Sequence, residues 1–195
     1  RDYSEAMVRA PSKQWAGPLI QMLNQPMTDP RSAKTKEQAR DLVDPFRDQS
    51  FWQVTAAQVL GELREADAVE PLFKVLLEPS KSAVATTALL ALVKIGKPSV
   101  DRALKVLDGS DTKLIDFHKE AVKKATEAKE APSGNISLPV AAAVIGMAGR
   151  PEGIAPMIKI LESDASDADK AVVARELAKI PATKESKDAF KKAFE

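Results

Sequence analysis

Pro71-Leu72-Phe73-Lys74-Val75-Leu76 returns class for class as Pro156-Met157-Ile158-Lys159-Ile160-Leu161, and this recurrence decides the fold. A third copy is Pro18-Leu19-Ile20-Gln21-Met22-Leu23. Looser copies are Arg102-Ala103-Leu104-Lys105-Val106-Leu107 and Asp188-Ala189-Phe190-Lys191-Lys192-Ala193. The copies start at 18, 71, 102, 156 and 188, so the steps are 53, 31, 54 and 32 residues. A step of 31 or 32 is the length of one helical hairpin. Each longer step holds about one further helix, over residues 32–44 in the first case and 111–130 in the second.

Upstream of each copy lies an alanine-rich segment: 51–63, 82–95, 138–148 and 168–180. Two of these end in matching turns, Gly96-Lys97-Pro98 and Gly149-Arg150-Pro151. Glycine past the last helical residue supplies a left-handed cap, and proline opens the next helix, where its missing N–H costs nothing. Ser50 with Gln53 reads as a capping box that opens the helix over 51–63. The segments at 82–95 and 138–148 are apolar nearly all round, so they must be covered on several sides, as stacked hairpins would do. Leu114, Phe117, Ala121 and Ala125 give the second inserted helix an apolar stripe, as Ala39, Leu42 and Val43 give the first. No segment sustains the period-2 alternation of a strand. The reading is one all-α domain over residues 1–195, an α-α superhelix of about five hairpins near 4–24, 51–78, 82–108, 138–163 and 168–194, with inserted helices at 32–44 and 111–130.

Composition agrees. Hydrophobic residues make up 44% and charged residues 29%, which suits a folded protein, and aromatics at 5% suit close-packed helices better than a β-sandwich. Lys+Arg 29 against Asp+Glu 28 leaves no strong field for nucleic acid or an anionic membrane. The absence of cysteine removes disulfides, thiolate metal sites and thiol nucleophiles, and leaves the compartment open. The longest apolar runs, Ala83–Val93 and Leu138–Ala148, fall short of the roughly 20 residues that span a bilayer. The chain starts at Arg1, so it reads as a fragment or processed form, cytoplasmic or exported with its signal segment absent.

With these residues in hand, the sequence resembles the HEAT-like repeat family. The likeness is to the short bacterial type with the pattern A-x-x-A-L…I-G-x-P-x-x-V-x-x-L-x-x-x-L, over 51–107 and 138–163, with weaker matches over 168–194 and 10–23. The resemblance implies a superhelix whose second helices line a concave, partner-binding face. The two insertions depart from a simple tandem array, and an extra helix could cap that groove.

Some HEAT-like proteins are hydroxylases that bind metal through repeated His-Glu pairs, but His118 is the single histidine here and reads as a surface or boundary residue. Asp164, Asp167 and Asp169 lack the turn glycine and closing glutamate of a calcium loop and read as helix capping. No phosphate-cradling or nucleophile-elbow motif occurs. Gly61 and Gly146, 85 apart, read as packing glycines. One repeat position forms a column of Gln21, Lys74, Lys105, Lys159 and Lys191, a basic ladder suited to an acidic segment. Glu70 and Asp101, four residues before Lys74 and Lys105, would pair with them along the helix and neutralise half of it. Phe51 and Trp52 point about 100° apart on a helix, which leaves room for one of them to be exposed as an interface anchor. Adjacent aromatics at a helix start often pack under a neighbouring loop, however, and the pair reads more as core.

The functional expectation is a non-enzymatic protein–protein interaction module, without cofactor or metal, whose groove holds a protein or acidic peptide through Lys74, Arg102, Lys105, Lys159 and Lys191. Rival readings are a nucleic-acid-binding protein, including the base-excision type, and a structural segment of a larger protein. A chromophore lyase or chaperone follows only from the family's likeness to phycobilin lyase subunits. Near-zero net charge and few aromatics count against nucleic acid. The Lys-rich end (Lys184, Lys187, Lys191, Lys192) reads as a polar terminal cap and favours a monomer.

Overall fold

The structure, a computed structural model, describes residues 2–28, 30–127 and 137–194. Among these residues every regular element is a helix and no strand occurs. The α-helices are α1 (Asp2–Arg9), α2 (Ala16–Asn24), α3 (Lys36–Glu62), α4 (Val69–Leu77), α5 (Ser82–Ile95), α6 (Lys97–Leu107), α7 (Thr112–Glu127), α8 (Ser137–Ala148), α9 (Ile154–Leu161), α10 (Asp167–Leu177) and α11 (Lys184–Phe194). Residues 128–130 of the second inserted helix lie outside the described residues.

The helices fall into two rows. In one, α3 packs on α5, α5 on α8, and α8 on α10; in the other, α2 meets α4, α4 meets α6, α6 meets α9, and α9 meets α11. Contacts between the rows, α2 with α3, α4 with α5, α6 with α8 and α9 with α10, enclose the core. Its largest fully buried members include Leu60, Leu72, Phe73, Leu92, Ile145, Met157 and Leu177. Each such side chain contributes about 1.5–3 kcal/mol relative to exposure.

Two crossings set the spacing of the first row. A Cβ on Gly61 would lie 2.8 Å from the Cα of Ala91, and one on Gly146 would lie 2.6 Å from the carbonyl oxygen of Glu176. Both glycines therefore let helix backbones approach where any side chain would wedge them apart. The turn glycines act differently. Gly96 (φ 82°) and Gly149 (φ 62°) both have positive φ, which favours glycine. At Gly149 the bonds Gly149 N–H to Gly146 O (3.1 Å) and Arg150 N–H to Ile145 O (3.5 Å) form the Schellman closure. Ser166 caps α10, accepting from Asp169 N–H at 3.1 Å, with Asp167 and Asp169 in the first turn near the positive end of the helix.

One boundary differs from the sequence reading. The inserted helix at 32–44 and the upstream helix at 51–63 are a single 27-residue helix, α3, which runs through Pro45. Proline removes one backbone bond, to the carbonyl of Asp41, and both residues are exposed, so water can serve that carbonyl. The Ser50–Gln53 capping box is therefore absent, because both residues are mid-helix. Thr35 caps α3 instead: its Oγ1 accepts from Gln38 N–H at 3.2 Å, while Gln38 Oε1 accepts from Lys34 N–H at 3.1 Å. Gln53 is buried and donates from Nε2 to the Gln25 carbonyl at 3.0 Å, tying α3 to the end of α2.

Lys81 is also buried. Its ammonium donates to the Leu23 carbonyl at 2.6 Å and lies 3.5 Å from Glu78. Burial pushes its pKa below the ordinary lysine value, opposed by the Glu78 carboxylate. Leu23 is in the last turn of α2, so the cation sits where the helix dipole is negative.

Candidate functional site

The second row carries the basic column, and α7 lies against part of it. This helix packs on α4, with further contacts to α6, α8 and the turn Pro79–Lys81. The sequence just before it explains the docking. Asp111 precedes the first helical residue and its Oδ1 accepts from Leu114 N–H at 3.2 Å, a side-chain cap on α7. The same oxygen accepts from Arg102 Nη2 at 3.2 Å, and Arg102 Nε forms a close ion pair with Asp111 Oδ2. Arg102 Nη1 reaches Glu70 Oε2 at 3.2 Å, and Glu70 Oε1 pairs with Lys74 Nζ at 2.9 Å. Lys74 Nζ in turn lies 5.6 Å from the centre of the Phe117 ring on α7, within range of a cation–π attraction.

Four charges of zero sum thus join α4, α6 and the start of α7. Asp111 is 6% exposed and Arg102 25%, so removing either would leave its partner poorly solvated. The hydrogen bond from Lys74 holds the Glu70 carboxyl below its ordinary 4.5; burial opposes that shift and Arg102 adds to it.

Deeper under α7, Leu114 is fully buried and His118 is 4% exposed. His118 shares a hydrogen bond between its Nδ1 and the Leu77 carbonyl at 3.3 Å. Burial pushes its imidazole below the ordinary 6.5, partly offset by that bond. The sequence reading had placed this histidine at a surface or boundary. It is a core residue of the α4–α7 contact, because the Leu114–Phe117–Ala121 stripe turns that side of α7 inward.

The five candidate residues therefore divide. Lys74 and Arg102 are brought together by Glu70 and engaged beneath α7. Lys105 and Lys159 are exposed, and the ammonium group of neither makes a hydrogen bond or ion pair among the described residues. Asp101 pairs with Lys97 at 2.7 Å, not with Lys105, because it lies between the two lysines and Lys97 takes it. Lys105 and Lys159 meet at the field of Asp108. The Ser110 hydroxyl and then the Ser110 N–H hold that carboxyl below its ordinary 3.8, and the two lysines add to the effect. Lys191 is exposed on α11, whose neighbour Lys192 reaches Glu162 at 2.9 Å and ties α11 to α9. Gln21 is exposed on α2.

Beside α7 a cleft of about 420 Å³ opens between Glu78, Pro79, Phe117, Glu120, Ala121 and Lys124. No group of three or more His, Asp or Glu among the described residues could hold a metal ion. No single helix among them is long and apolar enough to cross a membrane.

Sequence reasoning missed Asp111, the residue that fastens α7. Its signal was present: an aspartate directly before a helical stripe is a cap candidate. Compared with known protein families, curated proteins and solved structures, the chain shows no significant match to any of them.

Proposed function

We propose that the chain is a HEAT-like helical repeat module that holds an acidic segment of another protein and performs no catalysis. The 85-residue recurrence and the two rows of helices support the repeat reading. One observation carries the functional reading. Successive helices of the second row, α6 and α9, present Lys105 and Lys159 to solvent, both within the field of the exposed Asp108 and neither in an ion pair. Lysine is a flexible point charge, so a pair of them on rigid helices attracts carboxylates without fixing one geometry. The contact surface is accordingly narrower than the full column: Lys105 and Lys159, with Lys191 at its far end, and without Lys74 and Arg102. An exposed lysine pair adds modest affinity, so much of the selectivity would come from electrostatic steering.

The test is affinity capture from native lysate with three forms of the chain. The wild type is compared with Lys105→Glu/Lys159→Glu and with Lys13→Glu/Lys36→Glu, an equal charge change at exposed sites on other elements. The expected result is one enriched protein that is lost with the first variant and kept with the second. Equal loss with both variants would mean a diffuse charge effect and would remove the assigned surface.

A further inference from the structure

The first row carries a second surface of opposite character. Trp52 is 39% exposed on α3, its ring held edge-on by Phe51 with centroids 5.2 Å apart and planes at 79°. The sequence left the pair between interface anchor and core, leaning towards core; the structure leaves Phe51 half-buried and turns Trp52 to solvent. It borders a shallow recess of about 790 Å³ between α3 and the start of α5, shared with Asp44, Arg47, Asp48, Phe51 and Ala83.

Asp48 and Asp44 stand four and eight residues before Trp52, so both lie on the same face of α3, one and two turns away. Asp44 is within 3.6 Å of Arg47. Asp48 is exposed and has no ion pair among the described residues. Only Lys74 over Phe117 places a cation on an aromatic ring among these residues, so the Trp52 face is not used that way internally.

We infer that the Trp52–Asp48 recess binds a cationic side chain of a partner protein, an arginine on an extended segment. The charge arrangement selects this occupant. Arg47 offsets Asp44, so Asp48 carries the uncompensated charge of the recess: an acidic segment would meet it head-on, and a wholly apolar one would desolvate it with nothing to pair it. A planar guanidinium can stack on the indole face and donate two hydrogen bonds to the Asp48 carboxylate at once, which a lysine ammonium cannot do. This surface is on a different row from Lys105 and Lys159, so it does not depend on the function proposed above.

The experiment uses the full chain carrying Trp15→Phe, which leaves Trp52 as the single indole. It is titrated at low salt with the synthetic peptide acetyl-Gly-Arg-Gly-Arg-Gly-amide, and with the same peptide bearing citrulline for arginine. Citrulline keeps the shape and loses the charge. The expected result is a saturable change in Trp52 emission with the arginine peptide and binding about tenfold weaker with citrulline, from loss of the cation–π and ion-pair contributions together. Asp48→Asn, an exposed change that should leave the helical circular dichroism intact, is expected to weaken the arginine peptide about threefold. Equal titration by both peptides, no response to either, or an unchanged affinity in Asp48→Asn would each overturn the inference.

Discussion

Lys74 and Lys105 hold the same place in two matching stretches of the sequence, yet one is engaged in the fold and the other faces solvent. The difference is α7. Where that helix lies on α4, the basic residues become its fastening: Lys74 against Glu70 and Phe117, Arg102 between Glu70 and Asp111. Beyond it, Lys105 and Lys159 face solvent outside any ion pair, with Asp108 in their field. Two residues at matching places in the sequence thus differ in availability because α7 packs over one of them and not over the other.

The largest effect should come from the covered end. Arg102→Ala leaves Asp111 buried without its cation and loosens the start of α7. It should cost about 2–3 kcal/mol in urea unfolding, somewhat below a fully buried pair because Arg102 is partly exposed. His118 should come next, through pH. Its folded pKa lies below 6.5, so between that value and 6.5 the unfolded chain binds more protons. Stability is therefore complete above pH 6.5 and declines as the pH falls through that window. His118→Gln should flatten that part of the stability–pH curve.

Lys74→Ala should cost less, about 0.5–1 kcal/mol, since its pair with Glu70 is part-exposed. The lowered pKa of Glu70 gives stability that is present above pH 4.5 and lost as the pH falls through the folded value. Acid unfolding of Lys74→Ala should accordingly show a smaller loss below pH 4.5 than the wild type. At the uncovered end, Lys105→Ala/Lys159→Ala should change unfolding by no more than about 0.5 kcal/mol, because neither side chain is paired. A large destabilisation there would erase the contrast between the two ends.

Much of the helical layout could be read from particular residues. Gly96 and Gly149 marked two helix ends because their left-handed turns exclude side chains, and both have positive φ. Gly61 and Gly146 marked close approach, and a Cβ at either would strike the facing helix. The break read between 44 and 51 is absent: Pro45 weakens the helix by one bond and a clash, which an exposed turn with a good cap at Thr35 tolerates. The site was harder to read. That α7 folds back over α4 depends on Arg102 with Asp111, nine residues apart, and His118 with Leu77, 41 apart, pairings that no helical spacing rule specifies. The local rule even erred at Lys105, whose expected partner Asp101 is taken by Lys97.

The most direct test of the divided lysine row is a titration of the intact chain, with lysine side chains isotope-labelled, by the acidic peptide hexaglutamate, read by NMR at low salt. The expected result is that the Lys105 and Lys159 signals shift together and saturate, while the Lys74 signal stays where it is. Movement of Lys74 equal to or larger than that of Lys105 and Lys159 would contradict the division and return the binding face to the whole column.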